Sequence, residues 1–250
     1  MTSWIIPDWP APGAVKALVT TRTGGHSRGA YQGLNLGIHV GDDPDTVVAN
    51  RAWLRQQAGL PDDPVWLTQV HSKICLDLSA VGSAEAPEAD ASTTRVPGQV
   101  CAILTADCLP VILCSDDGAT VGAAHAGWRG LLSGVIEATA ESMAQPGARL
   151  MAWLGPAIGP SAFEVGPEVR EAFMAEDIAS ASAFTQHPET EGKWLCDIYA
   201  LARLRLARIG IHRVYGGDRC TYRETEHFFS YRREKQTGRM ATLVWIDSAA

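Results

Sequence analysis

The sequence predicts a layered α/β sandwich built on a mixed sheet, with residues 1–250 forming one domain. Three observations carry this. From residue 65 onward, short and almost wholly apolar runs recur between turn residues, the pattern of strands covered on both faces. Stretches with apolar residues at helical spacing alternate with them and supply the cover. No internal repeat, low-complexity tract or long linker divides the chain, and its 46% hydrophobic residues suffice for a large core without disulfide staples.

The elements follow in order. Residues 14–21 alternate enough for a first strand, which ends in the polar, glycine-bearing loop 22–29. Residues 44–58 read as a helix: Asp43 is the N-cap, Pro44 occupies the first turn, Val47, Leu54 and Ala58 share a face, and Gly59 stops it. Strands are expected at 65–67, 74–78, 100–105, 111–114 and 121–124. The stretch 128–144 is the best covering helix, with Leu131, Leu132, Val135, Ile136 and Ala140 on one stripe. Further helices are expected at 167–174 and 197–209, and further strands at 151–154, 213–215, 228–232 and 241–246.

Charge and composition narrow the function. A formal charge of -7 argues against nucleic acid as a partner, because that affinity rests on neutralising phosphates with Lys and Arg, while leaving room for a local basic pocket. The opening residues carry no basic segment followed by a long apolar one, so no secretory signal is read. The most apolar segment, 100–114, is interrupted by Asp107 and Pro110, well short of a membrane span. The expectation is a soluble cytoplasmic protein with no membrane partner and a small-molecule substrate. The six cysteines form no Cys-x-x-Cys pair, and several sit in apolar runs, so no disulfide framework is expected.

Three residues stand out: His71 in Thr68-Gln69-Val70-His71, Cys108 in Thr105-Ala106-Asp107-Cys108-Leu109-Pro110, and His125 in Ala123-Ala124-His125-Ala126-Gly127-Trp128-Arg129-Gly130. Taken singly, each reads as a packed side chain at a strand end. Together, each closes a short apolar run just before turn-forming or helix-starting residues, where side chains can converge. Two imidazoles and a thiol make a soft metal triad, and zinc held by three protein ligands keeps a fourth position for water or substrate. Such a zinc lowers the pKa of bound water to about 7. Copper is the lesser expectation. A blue-copper centre adds an axial Met, and Met143, Met151, Met174 and Met240 are all remote in sequence; seven histidines without a His-x-His pair are too few for a multi-copper oxidase. A metal-free alternative uses Cys108 as nucleophile and His125 as its base, with His71 or Asp107 orienting the pair.

With these motifs together the chain resembles the YfiH family, bacterial proteins described variously as laccase-like polyphenol oxidases, purine nucleoside phosphorylases and peptidoglycan-editing factors. The likeness runs nearly end to end, through Thr20-Thr21-Arg22-Thr23-Gly24-Gly25, Leu34-Asn35-Leu36-Gly37, Trp66-Leu67-Thr68-Gln69-Val70-His71, Ala89-Asp90-Ala91, the segments 104–110 and 125–130, Trp153-Leu154-Gly155-Pro156-Ala157-Ile158-Gly159-Pro160, and 228–239. The resemblance implies an α/β fold also likened to Cys-His toxin hydrolases, with His71, Cys108 and His125 as metal ligands. It implies zinc-dependent phosphorolysis of adenosine, inosine, guanosine and methylthioadenosine, with adenosine deamination beside it. It also implies an alternative cell-wall role, removal of a wrongly incorporated amino acid from a nucleotide-linked muramyl precursor.

Nucleoside chemistry asks for further residues. Phosphorolysis needs a concentrated positive field in an acidic protein, and Arg219, Arg223, Arg232, Arg233, Lys235 and Arg239 cluster around Ser230 and Gly238. If 228–232 is a strand with Phe228, Phe229 and Tyr231 interleaved, Ser230 and Arg232 share its free face. Otherwise the run is a solvated surface. Arg129, between Gly127 and Gly130 at a helix start, is a second anion candidate. Arg22, Asn35 and Gln69 are candidates for hydrogen bonds to ribose or base, or equally for turn stabilisation. Deamination needs a carboxylate that shuttles a proton. Asp107 can serve only if its strand ends before it; alternatively it orients His71 or His125.

Overall fold

The computed structural model describes residues 4–80 and 87–248. Along the chain the elements are β1 (Val15–Val19), α1 (Pro44–Ala58), β2 (Cys75–Asp77), β3 (Ala91–Thr94), β4 (Val100–Thr105), β5 (Leu109–Ser115), β6 (Val121–Ala126), α2 (Trp128–Ser133), α3 (Val135–Met143), β7 (Leu150–Leu154), β8 (Glu164–Val165), α4 (Pro167–Glu176), β9 (Phe184–Gln186), β10 (Trp194–Cys196), α5 (Ile198–Arg208), β11 (Arg213–Gly216), α6 (Tyr231–Glu234) and β12 (Met240–Ile246).

Two sheets build the centre. The larger has the order β11-β7-β5-β6-β3-β2 and is mixed: β5 runs antiparallel to β6 and β7, while β11 is parallel to β7 and β2 to β3. The smaller has the order β1-β12-β4, antiparallel throughout. A third small sheet, β8-β10-β9, lies among the later elements.

The period-2 alternation of side chains assigns each strand face to a layer. Along β5, Leu109, Val111 and Leu113 join a core with Leu131, Val135 and Ile136 of α2 and α3 and Leu201 and Leu206 of α5. The alternate residues Ile112 and Cys114 join Ala123, Trp153, Cys101, Ile103 and Val244 in a second core between the two sheets. On the far side of the smaller sheet, Val100, Ala102, Leu104, Leu243 and Trp245 pack against Leu54 of α1 and against Leu34 and Leu36. The layers therefore run helices, large sheet, small sheet, helix, and the mixed α/β sandwich expected from sequence is what the chain forms.

Local signals explain several boundaries. The Asp43 carboxylate accepts from the Thr46 amide at 3.1 Å, Pro44 opens α1, and Gly59, left-handed at φ 60, ends it. β5 tolerates Pro110 as its second residue, where the missing N–H falls near the strand start.

Three expectations are corrected, and one strand had not been expected. The helix at 128–144 is two helices, because Gly134 at φ 94 closes α2 and opens α3 in a conformation that breaks the ladder. Residues 65–67 make only an isolated bridge, Val65 to Cys101. Residues 228–232 are not a strand: Phe228 and Phe229 plug a small core with Ala106 and Met240, and Ser230 caps α6 by accepting from the Arg233 amide at 3.3 Å. β3, Ala-Ser-Thr-Thr, is a fully buried strand with no apolar signature. Two of its three hydroxyls find partners instead: Thr93 meets the Ser142 hydroxyl at 2.7 Å and Thr94 donates to Gln99 at 2.5 Å, while Ser92 Oγ is buried without one among the described residues.

Candidate metal centre

The ends of β4 and β6 and the starts of β5 and β12 lie together, since Thr105 pairs with Met240 and Leu109 with Ala126. His125 follows Ala123 on the face of β6 that looks into the core between the sheets, and Cys108 is the last residue of the turn from β4 to β5. The loop carrying His71 closes over this end. One ligating atom from each of His71, Cys108 and His125 lies within 4.8 Å of the other two. Cys108 Sγ stands 3.8 Å from His71 Nε2, and the two imidazoles meet edge to face with centroids 4.7 Å apart. His125 is buried, Cys108 half-buried and His71 exposed, so the group opens to solvent on the His71 side.

Asp90 builds this arrangement. Its fully buried carboxylate accepts the Nδ1 proton of His125 at 2.8 Å, the amides of Val70, His71 and Ser72 at 3.2, 2.9 and 2.6 Å, and the Ser72 hydroxyl at 2.8 Å. Its own carbonyl accepts the His125 amide at 2.7 Å. Three successive amides aimed at one carboxylate form an anion nest, and in it His71 takes φ 63, a left-handed backbone a non-glycine residue adopts only when its surroundings fix it. Burial pushes the Asp90 acid up, but the donors from His125 and Ser72 outweigh it and hold the group at about 2. The same bond assigns the tautomer of His125 and leaves Nε2 for a metal.

Charge follows geometry. Burial raises the Cys108 thiol, yet the imidazolium of His125 and then the hydrogen bonds of His125 and His71 prevail and bring it down to about 6. Burial disfavours a charged His125, yet the Cys108 thiolate and the Asp90 bond prevail and bring it up to about 9. Without a metal the two form a thiolate–imidazolium pair. As a donor set, two imidazole nitrogens and a readily ionised sulfur fit zinc or another soft divalent ion and suit magnesium or calcium poorly. Gly127 has no side chain for a reason: a Cβ there would stand 2.9 Å from Cys108 Sγ and 3.1 Å from His71 Cδ2.

Asp107 is corrected in role. β4 does end before it, but its backbone at φ 88 turns the carboxylate toward the C-terminal loops. There it accepts from the Thr221 and Ser230 hydroxyls at 2.6 and 3.0 Å and from the Arg232 amide at 2.6 Å. The orienting contact to His125 comes from Asp90, which sequence reasoning missed. An acid flanked by alanines, Ala89-Asp90-Ala91, was the available signal.

The other expected contact residues separate into two groups. Asn35 is fully buried, donating to Gly37 O and Asp42 Oδ2 and accepting from the amides of Gly37 and Arg239, so it fastens two loops, the stabilising one of its two expected roles. Gln69 exchanges two hydrogen bonds of 2.8 Å with the backbone of Leu104. Ser230 serves Asp107, and Arg232 donates to Glu164 O at 2.9 Å. Arg22 pairs with Glu234 at 3.0 Å and lines a separate cleft of about 970 Å³ that none of the three central residues lines. Arg129 is exposed and stacks on Trp128 at 4.3 Å. Arg239, largely buried, feels the negative charges of Cys108 and Asp107. His39, missed from sequence, feels the charges of Arg239 and His125.

Known proteins share this chain's pattern. The family described as multi-copper polyphenol oxidoreductase laccase matches residues 16–247. The chain belongs to that family. Curated relatives include the purine nucleoside phosphorylase YfiH of Escherichia coli, 54% identical over 98% of this chain and 100% of the relative, and a purine nucleoside phosphorylase of Pseudomonas aeruginosa, 50% identical over 98% and 99%. Among solved structures, a Neisseria meningitidis protein matches with TM-score 0.92 at 50% identity over 98% of this chain and 99% of that one. YlmD from Geobacillus stearothermophilus matches at 0.88 and 30%, over 98% and 96%. For a member of a laccase-described family the chain holds few copper donors: among the described residues one His/Cys/Asp/Glu group is close enough to hold a metal.

Proposed function

We propose that this family member is a zinc enzyme of purine nucleosides, a phosphorylase for adenosine, inosine, guanosine and methylthioadenosine with adenosine deamination as a companion activity. The observation that carries it is the convergence of His71, Cys108 and His125 within 4.8 Å on a solvent-facing rim, with relatives of matching length named purine nucleoside phosphorylase. Zinc, when bound by these three residues, supplies a Lewis acid for an oxygen or ring nitrogen of the substrate.

The chain's residues do the remainder. Asp90 keeps the proton on His125 Nδ1 and holds the His71 loop, so both imidazoles keep their orientation through a turnover. Cys108 stays ionised and provides the soft anionic donor. The core between the sheets closes the inner side to water, leaving entry past His71. Arg239 places positive charge where a phosphate can approach, and Arg129 is a second, more exposed cation.

A decisive assay incubates zinc-loaded protein with adenosine, with and without inorganic phosphate, and separates adenine from inosine. Phosphorolysis yields adenine only when phosphate is present; deamination yields inosine in either case. Neither product from the zinc-loaded enzyme, or full turnover by metal-free Cys108→Ser protein, defeats the proposal. The thiolate–imidazolium pair favours one second reading, a metal-free hydrolase with Cys108 as nucleophile and His125 as base, acting on an amide such as that of a muramyl precursor. Activity that survives chelation selects it.

A further inference from the structure

Two guanidinium side chains and an imidazole from distant parts of the chain come together at the turn around residues 36–40. Arg51 of α1 donates Nε and Nη2 to Leu36 O at 3.0 and 2.9 Å and lies 4.2 Å over the Trp66 ring. The stem of Arg239 rests on Gly37 so closely that a Cβ there would stand 2.7 Å from Arg239 Cγ. Its amide is fixed by Asn35 Oδ1 at 2.9 Å, and its Nη1 reaches the carbonyls of Thr237 and Gly238, both at 3.0 Å. His39 sits exposed on the 3-10 turn Ile38–Val40.

No carboxylate balances this group directly. Among the described residues neither Arg51, Arg239 nor His39 forms an ion pair. The nearby acid of the same loop, Asp42, accepts from the Ser27 hydroxyl at 2.6 Å, from Asn35 Nδ2 at 2.9 Å and from the Asp43 amide at 2.9 Å. Burial and then the charges of Arg239, Arg51 and His125 all push the His39 imidazole down. Arg239 accepts the Leu36 amide on its carbonyl at 3.2 Å and immediately precedes Met240, which pairs with Thr105 at the end of β4, three residues before Cys108, and this puts the group beside the metal centre. In a chain of net charge -7, two guanidinium groups beside an imidazole, none of them held in an ion pair, favour an anion that arrives from solution.

We propose that His39 and Arg239 form an oxyanion subsite beside the metal centre that takes a phosphate, either the free dianion or the phosphoryl group of a nucleotide-linked substrate. Arg51 strengthens the field while its own donors stay on Leu36. The fork of Arg239 and the imidazole N–H of His39 are the donors that a tetrahedral oxyanion accepts. The subsite deepens the nucleoside reading and rests on it only for the choice of phosphate as the anion.

Calorimetric titration of inorganic phosphate, and separately of adenosine 5'-monophosphate, into zinc-loaded wild-type, His39→Ala and Arg239→Lys proteins tests it. One of the two ligands should bind the wild type and lose about tenfold or more in affinity in both variants, while adenosine affinity stays unchanged; which ligand responds identifies the source of the phosphate. His39 is exposed, so its replacement leaves folding intact, and the melting temperatures of both variants confirm that they are folded. Failure of both ligands to bind the wild type, or equal affinity in wild type and folded His39→Ala, overturns the subsite. Phosphate bound in a His39-dependent manner without nucleoside cleavage sinks the nucleoside reading and leaves the subsite standing. Phosphorolysis with an unchanged phosphate KM in both variants does the reverse.

Discussion

Asp90→Asn removes one negative charge and exchanges one carboxylate oxygen for an amide nitrogen. Oδ1 receives the His71 amide and His125 Nδ1, while Oδ2 receives the Val70 and Ser72 amides and the Ser72 hydroxyl. If the new nitrogen takes the place of Oδ2, two backbone donors face a donor. If it takes the place of Oδ1, the His71 amide is stranded and His125 must move its proton to Nε2, the atom a metal needs. Each buried donor left without an acceptor costs about 1–3 kcal/mol, so either outcome costs about 2–5 kcal/mol. For a chain of this length that lowers Tm by about 5–15 °C. Loss of the orienting carboxylate lowers metal affinity by about 10–100-fold as well. Melting curves of the metal-free protein give the first quantity, and zinc competition against a chromophoric chelator gives the second. A variant that melts with the wild type and binds zinc equally well refutes the role assigned to Asp90.

Gly127→Ala is expected to fold, because φ -57 and ψ 156 suit alanine, but to lose about tenfold or more in zinc affinity as its methyl displaces Cys108 Sγ and His71; unchanged zinc binding refutes the steric account. Asp107→Ala strands the Thr221, Ser230 and Arg232 donors and should cost about 2–4 kcal/mol, read as a drop in Tm of the metal-free protein, with failure to destabilise counting against the anchoring role. In metal-free protein the thiolate of Cys108 persists down to about pH 6, so its alkylation rate should stay high from neutral pH to that point, and a midpoint at the ordinary thiol value refutes the pairing. The Cys108 contribution to stability, from a lowered pKa, is lost as pH falls through about 6, and that of His125, from a raised one, is lost as pH rises through about 9.

Apolar runs and cap chemistry are strong local signals, and they located α1, β4 and most strands of both sheets. Elements held by distant partners carried no such signal. β3 hides its strand character because its residues are polar, the buried hydroxyls of Thr93 and Thr94 being satisfied by Ser142 and Gln99. Residues 228–232 alternate like a strand, yet the Asp107 carboxylate draws Ser230 and Arg232 into a capped turn. At the site the three central residues were legible because each ends an apolar run. The residue that joins two of them was not, since a carboxylate collecting three amides depends on a left-handed loop that only the folded chain creates. Asn35, Gln69 and Ser230 show a different limit: polar residues in motif-like loops read equally as ligand contacts or as turn stabilisers, and the internal hydrogen bonds they make are visible only once distant loops are brought together.

The position of β12 in the small sheet has a consequence for synthesis. It lies between β1 and β4, with Val15 opposite Ile246 and Thr105 opposite Met240. As the polypeptide leaves the ribosome, both outer strands therefore wait with bare edges and apolar faces until the last one emerges, a long-range closure that is slow and exposed to aggregation. A nascent chain halted before residue 239 already holds both histidines and the thiol, yet lacks the strand that seats the turn leading from Thr105 to Cys108. Maturation of the centre is thereby deferred until β12 has left the ribosome.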